Sequence, residues 1–365
     1  MTPKMMTVSG PVDPATLDLV LAAETLLCAP PRRPGNAGLP ATEAAFERAL
    51  VTMGSLGKLL MGAPNRDDET LDPIDAEVAL DALAALCVTR SAAASPAIAV
   101  TALAGLGSQA TPDQLGALSA ASGVSIVRGT NGRGRAVRRD PDLGSRLAPE
   151  EFAAAISAEL ACADHPAGIV GFVDLPRDAA AAAAVEAAAH AARTHGAALV
   201  LAPAERLGEL HAGLAAVDRA GLDRSRVIVT GAAALIGARQ SNGHPGAGVD
   251  AARVSKLEDL GTAICFDDLG RIPNTSTVVS DHDVAVSILG LVEQGAGARV
   301  IVSSGIRNKH RLASHGGNGL HFLPQQFVPY LRMLGANEET LRAIAGGNAA
   351  RIIARHPAAV EEPAR

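Results

Sequence analysis

Short runs that are apolar at almost every position alternate along the chain with longer stretches whose apolar residues recur at helical spacing. The runs are Leu17–Ala22, Ala97–Ala104, Val124–Thr130, Gly168–Leu175, Ala198–Pro203, Val227–Ala232, Thr262–Asp268 and Arg299–Gly305. Continuous apolar character suits a strand buried on both faces, as in a parallel sheet. Pro149–Ala163, Asp178–His195 and Asp281–Gln294 read as amphipathic helices, with Asp178 and Asp281 as N-caps. Eight strand-plus-helix units predict an α/β fold, a (β/α)8 barrel. A doubly wound open sheet has no need of eight units and would want a GxGxxG turn that opens a helix. The nearest glycine cluster, GTNGRGR at 129–135, runs instead into the basic, proline-containing stretch Ala136–Pro141, so it reads as a solvated loop. Between Cys28 and Leu71 the pattern predicts a long loop with a short helix around Glu43–Met53. No linker splits the chain. Residues 1–355 are expected to form one barrel domain and 356–365 a flexible tail.

Composition narrows the picture. Of the 365 residues, 48% are hydrophobic but 2% are aromatic and none is Trp, so Ala, Val, Leu and Ile must build the core. A net charge of −6 argues against nucleic acid as a partner, since phosphate binding needs a basic surface. Cys28, Cys87, Cys162 and Cys265 form no CxxC pair and are expected to be reduced thiols of a cytoplasmic protein. No stretch reaches the ~18 apolar residues that a membrane span needs, so no membrane partner is expected.

The stretch 299–353 pairs a strand ending in SSG with a basic loop, the glycine turn Gly316, Gly317, Asn318, Gly319, a helix bearing Phe327, Pro329 and Leu331, and a final Asn348–Ala349–Ala350–Arg351. This resembles the end of the phosphotriesterase family of the amidohydrolase superfamily. Thr7, Val8, Gly10, Pro11 and Pro14 followed by LAAETLL at 21–27 resemble its opening. Gly105–Gly107 with ATPDQLGALSAASGVSIVRGT, RVIVTGAAAL at 226–235 and TAICFDDLGR at 262–271 are similar to its middle strands. The resemblance implies the amidohydrolase-type barrel, a binuclear divalent-metal site at the strand tips, hydrolysis of ester, lactone, amide or phosphoester bonds, and dimers.

At the implied ligand positions the chain departs from that pattern. The first-strand HxH pair falls on Ala23 and Thr25, flanking Glu24. The fourth-strand bridging Lys or Glu falls on Gly171 or Phe172, the fifth- and sixth-strand histidines on Ala202 and Ala232, and the eighth-strand aspartate on Gly305. No histidine precedes His165, and no lysine lies between Lys58 and Lys256. Alanine, glycine and phenylalanine have no lone pair to give a cation. The expectation is therefore a barrel with no catalytic residue, metal or cofactor, acting as a structural or regulatory subunit paired with itself or with an active relative. Two alternatives stand beside it. One is a hydrolase holding a divalent metal such as zinc through other ligands. The other is a small-molecule binder whose mouth offers Asp267, Arg307, Lys309, His310 and Asn318.

Other polar residues have structural readings. Glu24 should point away from the pore if its neighbours point in, as a buried, paired carboxylate. Asp268 reads as a cap, His321 as a packed histidine and Cys265 as a small hydrophobe. Ser303–Ser304 lies near His310, but no GxSxG elbow and no third triad member accompany it.

Overall fold

A computed structural model describes residues 2–29, 40–88, 97–103, 110–131, 148–204, 207–239, 245–274 and 277–356; side chains of 86–88, 239 and 245–247 are outside the description. Gly105–Gly107, most of the 129–135 glycine cluster, Cys87's thiol and the tail beyond His356 therefore lie outside the described residues. Eight parallel strands pair in chain order: β1 (Leu17–Leu21), β2 (Ala97–Ala102), β3 (Ser125–Thr130), β4 (Ile169–Val173), β5 (Ala198–Leu201), β6 (Val227–Val229), β7 (Ala263–Phe266) and β8 (Val300–Val302). With helices outside, they form a nearly closed (β/α)8 barrel. Each observed strand lies within one of the apolar runs.

Strand alternation separates two cores. Val20, Ala99, Val127, Ile169, Val200, Ile228, Cys265 and Ile301 come one from each strand and pack together inside the barrel. Their neighbours, such as Leu21, Val100, Val170, Leu199, Ile264 and Val302, face outward against the helices. This is the period-2 pattern hidden inside a run that is apolar on both faces. The bottom is closed by Met5, from an N-terminal hairpin of Met5–Thr7 and Gly10–Val12, and by Ala349, Ala350, Ile352 and Ile353 of the last helix. Asn348 ties that helix to β8 by donating from Nδ2 to the carbonyls of Gly297 and Val300 at 2.9 and 2.8 Å.

The helix ends follow local chemistry. Asp178 caps Ala179–Thr194 by accepting from the Ala181 N–H. Asp281 does not cap the helix expected at it. Ser280 does, in a capping box with Asp283, because a hydroxyl one residue earlier reaches the N3 amide. Asp281 instead accepts from the Gly270 N–H. The loop after β1 holds a helix at Ala41–Arg48, shorter than expected, then a 3-10 turn at Met53–Ser55 and a helix at Leu56–Leu60. His356, expected to open the frayed tail, donates its N–H to Gly196 O at 3.0 Å. Among the described residues no helix is long and apolar enough to cross a membrane.

Candidate functional site

The strand tips converge at the mouth, and Glu24 lies at the seam between the first strand and the last. Its side chain is fully buried. Oε1 accepts from the Ser303 hydroxyl at 2.6 Å and from the amides of Ser304 and Gly305 at 2.7 and 3.0 Å; Oε2 accepts from the Ile306 amide at 2.9 Å. Ser303 Oγ in turn accepts from the Ala23 N–H at 3.0 Å. A carboxylate thus bridges β1 and β8, the two ends of the hydrogen-bonded ladder. The partners of this carboxylate are a hydroxyl and three backbone amides, not a cation. Ser303 is committed to this clasp, and His310 is bonded elsewhere, so the two do not meet.

The remaining tips are filled by backbone and carbon. Ala23 is buried in the inner core, Ala202 packs against it, and Thr25 borders a small apolar gap with Leu26, Leu71 and Ile306. The ladder register shifts between Val170 and Val173, which brings Phe172 into the inner core. A Cβ on Gly171 would lie 2.6 Å from Val200 Cβ. Ala232 begins the helix Ala232–Ile236 and packs in the outer core, one residue past the tip at Gly231. Gly305 has φ +59°, and a Cβ built there would overlap the carbonyl oxygen of Asp267.

Asp267 and Arg307 do come together. The buried Asp267 accepts from the Gly231 N–H at 2.5 Å and lies 3.3 Å from Arg307 Nη2. The Arg307 guanidinium sits 4.5 Å above the Phe172 ring, a cation–π stack. Burial pushes the Asp267 carboxyl up to about 6, although Arg307 and the Gly231 amide pull it back. The same burial drives the Cys265 thiol upward, so it stays protonated inside β7.

Lys309 and His310 turn away from this cluster. The Lys309 ammonium reaches Asp67 at 3.0 Å, Asp75 at 3.2 Å and Asp72 at 3.7 Å. Burial opposes its charge, but Asp67 and Asp75 outweigh that and hold its pKa above the ordinary value. His310 Nδ1 is 2.9 Å from both Asp68 oxygens, and Asp68 Oδ1 also accepts the His310 amide. Arg311 is buried between Asp268, the Leu269 carbonyl and the Ser304 carbonyl. Asp268 pairs with Arg271 as well, so it is a charge hub and not a cap. Asn318 donates to Gly270 O at 2.9 Å. His321 is partly buried, which lowers its pKa. Asp67, Asp68 and Asp75 were not singled out in sequence; the signal was a run of aspartates from 67 to 75 to match the basic run 307–311.

The residues at the positions that the resemblance implies for a metal pair do not fit one: they carry methyl groups, the Thr25 hydroxyl, a phenyl ring, and two glycines whose Cβ space is taken by Val200 and by the Asp267 carbonyl. Among the described residues no group of three or more His, Cys, Asp or Glu could hold a metal ion.

A model of the phosphotriesterase family matches residues 150–353. Phosphotriesterase-related proteins of Drosophila willistoni and Drosophila persimilis are 29% identical over 87 residues and 26% identical over 108. These alignments span 24% and 28% of this chain, and 25% and 31% of the relatives' lengths. Among solved structures, a resiniferatoxin-binding protein from Rhodobacter sphaeroides has TM-score 0.78 and 23% identity, with 96% of this chain and 95% of that one covered. The phosphotriesterase homology protein from Escherichia coli, complexed with phosphate in its active site, has TM-score 0.66 and 18% identity over 94% and 100%. A lactonase from Listeria monocytogenes has TM-score 0.69 and 13% identity over 97% and 99%. The barrel is common to all three, and with more than half of its length matched by the family model, the chain belongs to the phosphotriesterase family.

Proposed function

We propose that this phosphotriesterase-family barrel does not carry out metal-dependent hydrolysis and acts as a structural or regulatory subunit, paired with itself or with an active family member. The observation that carries the reading is Gly305. The eighth-strand position has no room for a side chain, because the Asp267 carbonyl occupies the space a Cβ would need. A polarised substrate and an activated water both need cations held by imidazole and carboxylate, and the mouth instead presents a guanidinium stacked on a ring. The test is metal content and turnover. Protein purified with zinc, manganese or cobalt present should hold substoichiometric metal and leave phosphotriester, lactone and aryl ester probes intact. Gly305→Asp should restore neither. Near-stoichiometric metal, with turnover lost on chelation, would establish the hydrolase alternative. Recovery of the tagged chain from its host as a lone monomer would remove the subunit reading.

A second reading, a small-molecule binder, is favoured by the exposure of Arg307 at the mouth. Its side chain is 38% exposed and its buried Nε has no hydrogen-bond partner among the described residues. The structural neighbour described as resiniferatoxin-binding supports it by analogy of fold.

A further inference from the structure

Two cavities lie side by side at the strand-tip end of the barrel, outside the ring of tips. The larger, about 700 Å³, lies between the helix Ala232–Ile236 and the loop after β7; Ala233, Ala234, Val278, Val279 and Val284 make its wall mainly apolar. The smaller, about 230 Å³, is polar and bordered by Asp68, Asn308, His310 and Arg311. Leu60, Gly62, Arg271, Ile272 and Asn274 line both, so the two are lobes of one cleft. Ala23, Phe172, Ala202 and Gly305 line neither lobe. Loops on this face of a (β/α)8 barrel build its ligand sites, and the larger lobe has the volume of a small-molecule pocket.

The geometry points to this cleft as a binding site for an amphipathic molecule with an apolar body and a singly charged carboxylate or sulfonate head. The body would lie against Ala234 and Val279, and the head would enter the polar lobe. Donors remain there after the internal bonds are counted. Arg311 Nε is buried with no hydrogen-bond partner among the described residues, and His310 spends Nδ1 on Asp68. Arg271 is 60% exposed and gives Asp268 one bond from Nη1. Two guanidiniums, Arg271 and Arg311, share the one carboxylate of Asp268. Asp68 is already saturated by Asn308 and His310. Glu69 also lines the lobe, and its charge favours a monoanionic head over a phosphate. The site is separate from the mouth and does not depend on whether Arg307 binds anything.

The test uses the full chain with 1-anilinonaphthalene-8-sulfonate as fluorescent probe, and decanoate and decanol, both below their aggregation limits, as competitors. The expected result is saturable binding at one site, displaced by decanoate about tenfold better than by decanol, as one charge-assisted bond allows. Ala234→Trp, at an exposed position of the wall, should weaken the probe by at least about tenfold without moving the melting temperature. Arg271→Ala should erase the advantage of decanoate over decanol. Arg307→Ala should change neither. Non-saturable probe fluorescence, or a probe insensitive to Ala234→Trp, overturns the site. Equal competition by decanol overturns the charged head. Loss of binding in Arg307→Ala alone moves the ligand to the mouth and overturns the cleft.

Discussion

At the scale of single residues, two buried carboxylates face opposite physical demands. Glu24 meets its charge with four hydrogen bonds from the start of the loop after β8. Glu24→Ala would strand three amides and a hydroxyl in a dry seam, and unsatisfied buried donors that had served a charge cost roughly 1–3 kcal/mol each. Urea unfolding should show a loss of at least about 3 kcal/mol, with Glu24→Gln intermediate. A loss within error would mean that the clasp does not hold the barrel shut. Asp267 has one amide and one arginine at 3.3 Å, too little to offset burial, and its pKa rises from 3.8 to about 6. The folded state therefore binds this proton more tightly than the unfolded chain does. Its stabilising contribution is complete below about pH 4 and is lost as pH rises through about 6, on the order of 3 kcal/mol in all. Asp267→Asn keeps an acceptor for the Gly231 amide and cannot ionise. The variant should gain stability relative to the parent as pH climbs from 4 to 7, in paired denaturant titrations. A pH-independent difference would contradict the shift.

At the scale of elements, the loop after β8 is riveted to the insertion after β1. Lys309 reaches Asp67, Asp72 and Asp75, and His310 and Asn308 hold Asp68. The side chain of Lys309 is nearly buried, so the cluster should be worth more than a surface pair. Lys309→Met should cost about 2 kcal/mol and raise hydrogen exchange in residues 67–75 while leaving the strands protected. Unchanged exchange there would show that the insertion is held by its apolar contacts. The helix elements were legible wherever a local group ends them, as Asp178 does. Capping at Asp281 was misread because Ser280 and Asp281 are both competent residue types, and the choice between them depends on which oxygen reaches the N3 amide. The β1 insertion was shorter in helix than its pattern suggested, since its order comes from aspartates bonded to a loop more than 230 residues away.

At the scale of the whole molecule, eight apolar runs were enough to specify eight strands, because a strand covered on both faces must be apolar at both parities. The residues expected at the strand tips came from the resemblance and not from where a run stops, since Gly171 and Phe172 lie inside their run and Ala23 and Thr25 beyond theirs. Which of these residues face inward was not readable. Phe172 enters the inner core through a register shift between Val170 and Val173, and Ala232 leaves it because a helix starts there. The clasp of Glu24 on Ser303 to Ile306, the pairing of Asp67, Asp68 and Asp75 with Lys309 and His310, and the two-lobed cleft were decided by tertiary structure alone. Each joins residues from separate βα units, and hydrophobic periodicity carries no term for contacts whose partners are brought together by closure of the barrel.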